Sequence, residues 1–255
     1  MFTMPAKKLV GLDDQIVEEY LAGTSSGILG RKYQTSLQTI INLLERNGVP
    51  RRSPHDAHIK YSYDEQFFDV IDTEEKAYFL GLLYADGYNN RPDCYIALSL
   101  TDRELVERFQ IALQTDHPIS EQARQSSDGY TRKKKFGIKI YGEHMSSMVA
   151  AKGCHQGKSL TLTFPTHDLV PHEWVPAFCR GYFDHICGTQ RFLESMAEHL
   201  PCPSFIRPRH RKPIWFLGIY RSDHVVQFAK WLYINANVWL ERKRVKFTNN
   251  AHAAA

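Results

Sequence analysis

The chain has 255 residues, of which 43% are hydrophobic, so it can bury a core in one large domain or in two to three small ones. Its 32 Lys and Arg residues stand against 28 Asp and Glu residues, which leaves a net charge of only +4. This balance excludes nucleic-acid binding through overall charge alone, and any such binding must depend on local clusters of basic residues.

Cysteine usage and hydropathy indicate the environment of the chain. Five cysteines stand at positions 94, 154, 179, 187 and 202, with no CxxC pair and no pattern typical of a disulfide framework, which favours a reducing, cytoplasmic environment. No apolar run approaches the roughly 20 residues of a membrane span, and the start of the chain has no signal-peptide pattern. We therefore expect a soluble intracellular protein with no membrane partner.

The first part of the chain is expected to form a separate domain of three short helices. Helix start signals lie at Asp13, Ser25 and about Ser36, and each precedes apolar residues at helical spacing. Glycines at positions 23 and 48 end the first and third helices. A tight turn is predicted near Gln34.

This arrangement resembles a helix-turn-helix of the resolvase type, whose third helix enters the DNA major groove. The resemblance implies that polar side chains of the third helix face the bases, where Gln and Asn can pair with adenine edges. The basic arm Arg51-Arg52 is typical of a segment that reaches into a minor groove. The alternative is a three-helix cap that only packs on its neighbour. The candidate base-contacting residues are Ser36, Gln38, Thr39 and Asn42.

An apolar helix ends in an acid further along the chain. The nine residues from Phe79 to Gly87 read FLGLLYADG, and the helix that contains them begins at Asp72 or Thr73, followed by acids in its first turn. The helix is apolar nearly all round, as expected of a helix buried between two partners. The carboxylate of Asp86, next to a glycine, is hard to explain by packing.

A second, altered copy of this string, FCRGYFD, runs from Phe178 to Asp184. The two copies resemble the LAGLIDADG motif of homing endonucleases. In that family the two motif helices pack against each other on a pseudo-twofold axis, and the carboxylate at the base of each holds a divalent metal over the DNA backbone. The resemblance implies that Gly81 and Gly181 let the two helix backbones approach closely.

An internal repeat indicates two lobes without reference to any family. Gly81 and Gly181 are 100 residues apart, whereas the string that begins at Phe136 matches the string that begins at Phe216 at a spacing of 80. The second lobe has therefore lost about twenty residues, and we expect the first strand of its sheet to be missing or shortened.

The predicted fold class is α+β, with a pseudo-twofold pair of αββαββα lobes, the second shortened, after the helix-turn-helix domain. The predicted boundaries are 1–53 for the helix-turn-helix domain, 54–71 for a linker, 72–165 for the first lobe, 166–250 for the second lobe and 251–255 for a tail.

Two runs of basic residues lie in predicted hairpins at corresponding places of the repeat. Together they fit a saddle over DNA phosphates, in which each neutralised phosphate adds salt-dependent affinity. The alternative is a pair of exposed loops kept soluble by charge. The first run contains Arg124, Arg132, Lys133, Lys134 and Lys135, and the second contains Arg207, Arg209, Arg211 and Lys212.

Two further strings extend the resemblance. Residues 153–165, with GCHQGKS followed by TLTFP, look like the inter-lobe segment of the family, and residues 231–244 look like its closing helix. Lys158, in the first string, is a candidate to contact a phosphate or assist the active site; the alternative is a solvated lysine.

The resemblance implies hydrolysis of phosphodiester bonds with Mg²⁺ as the cofactor. Magnesium prefers hard oxygen ligands and keeps several waters, so one carboxylate per lobe plus phosphate oxygens can suffice. Asp86 is the candidate metal ligand and catalytic residue. Asp86 lies five positions after Gly81. The residue five positions after Gly181 is Ile186, whose hydrocarbon side chain cannot hold magnesium. A one-residue insertion there leaves Asp184 or His185 as the candidate replacement, and Asp184 stands at a motif position that is noncatalytic in family members.

Three functional hypotheses remain open. The first is a monomeric homing-type endonuclease whose partner is double-stranded DNA and whose cleavage is weakened to nicking by loss of the second acid. The second is an inactive DNA-binding regulator or maturase-like nucleic-acid binder on the same scaffold. The third is a decayed reading frame of a mobile element. Zinc is not favoured, because the spacings of Cys179, His185, Cys187 and Cys202 match no tetrahedral zinc pattern.

Overall fold

A computed structural model describes residues 9, 11–50, 61–122, 134–183, 187–210 and 212–252, the last five of these as backbone only. The chain divides into two compact units, Met1–Lys60 and Tyr61–Ala255. The described residues form ten α-helices, seven β-strands and two short 3-10 helices, so the fold is of mixed α+β class.

The first unit contains three helices, α1 (Asp13–Leu21), α2 (Ser26–Lys32) and α3 (Leu37–Arg46). The hydroxyls of Ser25 and Ser36 cap α2 and α3 by accepting hydrogen bonds from backbone N–H groups of the first turn. Gln34, with a φ of 51°, makes the turn between these two helices. Buried residues from all three helices form a small apolar core of their own.

The second unit begins inside the predicted linker. Residues 54–60 of that stretch lie outside the described residues, but Phe67, Phe68 and Ile71 are buried in the main core. The backbone N–H of Asp64 donates a hydrogen bond to the carbonyl of Leu113 at 2.8 Å. Residues from 61 onward are therefore part of the second unit rather than a linker, because their large apolar side chains complete its core.

The first lobe of this unit has seven elements in the order αββαββα. Its antiparallel sheet has the strand order β1-β2-β4-β3, and the helices cover one face of it. Thr73 caps the motif helix by accepting a hydrogen bond from the N–H of Lys76 at 3.3 Å. The elements are α4 (Glu74–Asp86), β1 (Gly87–Asn90), β2 (Tyr95–Leu100), α5 (Arg103–Ala112), β3 (Ser120–Gln122), β4 (Lys135–Tyr141) and α6 (Glu143–Ala151).

The second lobe is shorter, and its three-stranded sheet has the order β5-β7-β6. In the first lobe β2 lies between β1 and β4, whereas here β5 pairs directly with β7. Among the described residues the counterpart of β2 is therefore missing, and the first strand of the second sheet is present but has only two residues. The elements are α7 (Val175–Tyr182), β5 (Cys187–Gly188), α8 (Gln190–Ala197), β6 (Phe205–Pro208), β7 (Trp215–Gly218) and α9 (Ser222–Leu232), followed by α10 (Glu241–His252).

Two details of the sequence analysis need correction. Helix α10 continues to His252, so the predicted tail begins later than residue 251. The spacing of 80 between matching strand residues of the two lobes is also wrong by one residue. Neighbouring residues of a strand point to opposite faces of the sheet, so an error of one residue matches a buried residue with an exposed one. The buried residues Ile138 and Leu217 are 79 apart, as are the starts of α6 and α9. Tyr141 therefore corresponds to Tyr220.

The motif helices α4 and α7 are in direct backbone contact. A Cβ atom on Gly81 would overlap the carbonyl oxygen of Phe178, and a Cβ atom on Gly181 would overlap the carbonyl oxygen of Tyr78. Each contact uses the residue three positions before the partner glycine. The two contacts are therefore reciprocal, as a pseudo-twofold arrangement requires.

We expect Gly181→Ala to lower the free energy of unfolding by roughly 1–3 kcal/mol, because the atoms that its methyl group meets are backbone and cannot move aside. Urea unfolding of the full chain measures this change. Gly27→Ala in α2 is the matched control, since a Cβ atom there meets nothing within 4 Å, and it should be neutral or stabilising. Equal stability of Gly181→Ala and the unmodified chain would contradict the backbone contact.

Candidate functional site

Asp86 is the last residue of α4, at the point where the buried helix pair ends. The residues from Ala77 to Tyr84 are buried on every side of this helix, and the Asp86 side chain is half-buried. Gly87 follows as the first residue of β1. A Cβ atom on Gly87 would lie 2.6 Å from the carbonyl oxygen of Leu83, so the tight exit from the helix excludes any larger residue after the acid.

Lys158 is hydrogen-bonded to the residue that follows this acid. It is only 9% exposed, and its Nζ donates to the carbonyl oxygen of Gly87 at 2.5 Å. The residue begins a 3-10 helix, Lys158–Leu160, directly after Gly157, whose φ of 72° is left-handed. The solvated alternative for Lys158 is therefore wrong, and its ammonium group is anchored one residue from Asp86.

Hydrogen bonds join Lys152 and the start of the inter-lobe segment to the end of α4 and to β1. The Cys154 thiol donates to the carbonyl oxygen of Leu83 at 3.4 Å, and the Tyr84 hydroxyl donates to the carbonyl oxygen of Lys152. The buried Asn89 amide donates to the carbonyl oxygen of Cys154 at 3.0 Å. Burial raises the pKa of Cys154 to about 11, so this thiol is a neutral packing group rather than a reactive one.

The second motif ends differently from the first. Helix α7 ends at Tyr182, one residue after Gly181, whereas α4 continues five residues past Gly81 to its acid. Asp184 and Ile186 lie outside the described residues. Within the part of the chain that the structure describes, no group of three or more His, Cys, Asp or Glu side chains could hold a metal ion.

The side chains at the end of α4 fit magnesium better than zinc. Magnesium is commonly held by one or two carboxylates together with substrate phosphates and waters, so it needs no preformed protein cage. A structural zinc site needs four nitrogen or sulfur ligands. Cys179, from the cluster considered for zinc, is buried in the main core, and burial raises the pKa of its thiol. Among the described residues, Asp86 is the candidate magnesium ligand.

The sheets leave one face free of the helices, which we call the outer face. On the first sheet this face carries Tyr88, Tyr95, Lys139 and Tyr141, which alternate with residues turned to the core. The Nζ of Lys139 lies 4.8 Å from the centroid of the Tyr95 ring. Sequence reasoning missed Lys139, although the buried Ile138 and Ile140 on either side of it indicate that it points outward.

The basic runs are only partly described. Lys134 precedes β4 and Lys135 is its first residue, and both are exposed. The Nζ of Lys134 pairs with Glu121 at 2.6 Å. In the second lobe, the exposed Arg209 and Lys212 belong to the turn between β6 and β7, where the N–H of Lys212 donates to the carbonyl of Arg209 at 3.1 Å. The candidates outside the described residues are Arg124, Arg132, Lys133 and Arg211.

The candidate base-contacting residues of the first unit lie at the start and on the exposed side of α3. The Ser36 hydroxyl accepts from the N–H of Thr39 and lies 2.8 Å from its hydroxyl, so both take part in capping. Gln38 donates to the side-chain oxygen of Asn42 at 2.8 Å. The opposite side of α3 is buried. The arm Arg51-Arg52 lies outside the described residues.

Comparison with known proteins finds a likeness among solved structures. No family model matches the chain, and no curated protein does. Among solved structures, the chain is similar to the homing endonuclease I-WcaI bound to its DNA recognition sequence, with 8% sequence identity and a TM-score of 0.48, over 72% of this chain and 91% of that chain. A likeness of this degree is too weak to assign a function. None of the described helices is long and apolar enough to cross a membrane.

Proposed function

We propose that the chain is a DNA endonuclease of the LAGLIDADG type, which binds double-stranded DNA on the outer faces of its two sheets and hydrolyses phosphodiester bonds at Asp86 with magnesium. The supporting observation is the reciprocal backbone contact of α4 and α7, which ends in a half-buried acid beside a buried lysine. Packing alone gives no reason for these two charged groups. Because both lobes belong to one chain, a monomer supplies the whole pseudo-symmetric site.

The chemistry divides between the two charged residues. Asp86 supplies an anionic oxygen that holds the cation together with the substrate phosphate. When bound, magnesium polarises the scissile phosphate and lowers the pKa of an attacking water. Lys158, anchored on the carbonyl oxygen of Gly87, places a fixed positive charge next to this site. That charge stabilises the negative charge that develops on the phosphate in the transition state.

The second motif favours weakened cleavage. Ile186 stands where the second acid is expected, so we propose that the unmodified protein nicks one strand at most. The same residue favours a second candidate function, a DNA-binding regulator or maturase-like nucleic-acid binder without cleavage. The helix-turn-helix proposed for the first unit and the basic turns are needed in either case, because they serve binding.

A selection on a randomised duplex DNA library, with and without magnesium, tests the proposal and separates the two candidates. Magnesium-dependent nicks at an enriched sequence would support the endonuclease. Enrichment by binding, with no cleavage at any magnesium concentration, would support the regulator. Absence of any DNA binding at near-physiological salt would contradict both candidates.

We expect deletion of residues 1–53 to weaken binding of the full-length target and to leave the cleavage position unchanged. The physical reason is that a second DNA-contacting module on the same chain raises the effective local concentration of the first, while its acids are not part of the Asp86 site. Filter binding at near-physiological salt measures the change. Equal affinity of the shortened and full chains would show that the first unit is not a DNA-binding module.

We expect replacement of Lys133, Lys134 and Lys135 by alanine to reduce the slope of log K against log salt by roughly two units, at ~0.9 for each phosphate that the variant no longer neutralises. Lys134 contributes less because Glu121 already pairs with it. Lys230→Ala, an exposed lysine on α9, is the control and should leave the slope unchanged. An unchanged slope in the triple variant would make this run a solvated turn.

A further inference from the structure

The outer face of the second sheet holds an arginine against two stacked aromatic rings. The rings of Phe205 and Tyr220 lie 3.9 Å apart between centroids, at an interplanar angle of 20°. The guanidinium carbon of Arg207 lies 4.7 Å from the Phe205 centroid and 5.2 Å from the Tyr220 centroid. We call these three side chains the arginine platform.

Gly218 makes room for the arginine platform. Phe205 is the direct partner of Gly218 in the β6–β7 ladder, and a Cβ atom on Gly218 would overlap the Phe205 ring. The ring therefore lies over the backbone of β7, on the face turned away from the core. Arg207 is exposed and Tyr220 is 64% exposed, so the arginine platform faces solvent.

The Arg207 guanidinium group is held by ring contacts, and its N–H donors remain available to a ligand. Among the residues that the structure describes, the Arg207 side chain makes no hydrogen bond and no ion pair with a carboxylate, although its backbone pairs with Phe216 in the β6–β7 ladder. By contrast, the exposed Arg221 donates two hydrogen bonds to Asp223, each 3.0 Å long. Contact with the rings restricts the plane of the Arg207 guanidinium, so less side-chain entropy is lost when its donors bind a planar acceptor.

We propose that Arg207 is the residue by which the second lobe recognises a guanine base in bound DNA, an inference that rests on the proposed function. A sheet face that enters the major groove places an arginine so that it can donate two hydrogen bonds to N7 and O6 of guanine. Phosphate also accepts two such bonds. Arg207, however, lies within β6 on the outer face, whereas Arg209 and Lys212 lie in the turn, where a backbone contact is expected.

The test is a binding selection on randomised duplex DNA with the full chain and single variants of it. The unmodified chain should enrich a site with one guanine that depends on Arg207. Arg207→Lys keeps the charge but loses the forked donors, so it should reduce the preference for that guanine by roughly 5- to 150-fold and leave the salt slope unchanged. Substitution of 7-deazaguanine, which lacks N7, should weaken binding of the unmodified chain and not of Arg207→Lys.

Two further variants separate position from charge. Gly218→Ala displaces the Phe205 ring and should relax the same guanine preference while Arg207 itself is retained. Arg209→Ala is the matched control, and it should weaken binding to all sequences alike and retain the preference. Arg207 is exposed, so Arg207→Lys is not expected to disturb folding. If Gly218→Ala does not fold, Arg207→Lys alone tests whether Arg207 reads the guanine.

Retention of the full guanine preference by Arg207→Lys, with a salt slope reduced in Arg207→Ala, would identify a phosphate contact and overturn the proposal. Enrichment of no sequence by the unmodified chain would overturn both this inference and the proposed function. A guanine preference that depends on Arg207, in a chain that never cleaves DNA, would support the inference and contradict the endonuclease.

Discussion

Asp86→Asn is expected to reduce magnesium-dependent cleavage by roughly 10²- to 10³-fold and to leave DNA binding largely intact. Asparagine has the shape of aspartate and preserves the end of α4, but it removes the anionic oxygen that would hold the proposed magnesium ion. Cleavage of the selected target is measured under single-turnover conditions, and binding is measured with calcium in place of magnesium. Loss of cleavage with unchanged affinity would identify Asp86 as a metal ligand.

Asp223→Asn is the matched control, because this exposed acid lies at the start of α9 and pairs with Arg221. It should leave cleavage unchanged. Ile186→Asp, with Cys187 deleted to restore the spacing to glycine, is expected to increase cleavage of the second strand. Efficient cleavage of both strands by the unmodified protein would contradict the nicking hypothesis and would indicate that Asp184 or another group supplies the second ligand.

The largest expected effect on stability comes from Arg180 in α7. Its Nε donates to the carbonyl oxygen of Val238 at 2.9 Å, its Nη1 donates to the carbonyl oxygen of Leu232 at 2.5 Å, and its Nη2 pairs with Glu74 at the start of α4. The residue is 5% exposed, and burial lowers its pKa to about 10, so it is still charged at neutral pH. Arg180 therefore joins both motif helices to the last residue of α9 and to the segment that follows it.

Arg180→Met is expected to lower the free energy of unfolding by about 3–5 kcal/mol, because it leaves the buried Glu74 carboxylate without its counter-ion and two carbonyl groups without donors. Thermal or urea unfolding measures the loss. Arg103→Ala, which breaks an exposed ion pair with Glu107, is the control and should change stability by no more than about 1 kcal/mol. Similar stabilities of the two variants would show that the Arg180 network is not a stabilising feature.

Local sequence patterns were enough to predict most elements of the fold. Ser25, Ser36 and Thr73 lie at three helix starts that composition and apolar spacing had indicated, and the left-handed turn at Gln34 falls where a turn was expected. These predictions succeed because capping and turn geometry involve residues a few positions apart. The repeat spacing failed by one residue, because matching letters does not show which face of a strand a residue occupies.

The sequence by itself determined the two motif helices, the acid at the end of the first, and the glycines that let them meet, since each depends on short-range spacing and residue size. Only the tertiary structure decided that Lys158 is buried against Gly87, that Phe67 and Phe68 complete the core, and that Arg207 rests on two rings. Those contacts join residues from separate elements. Their free energies depend on which surfaces meet, and no local pattern specifies that.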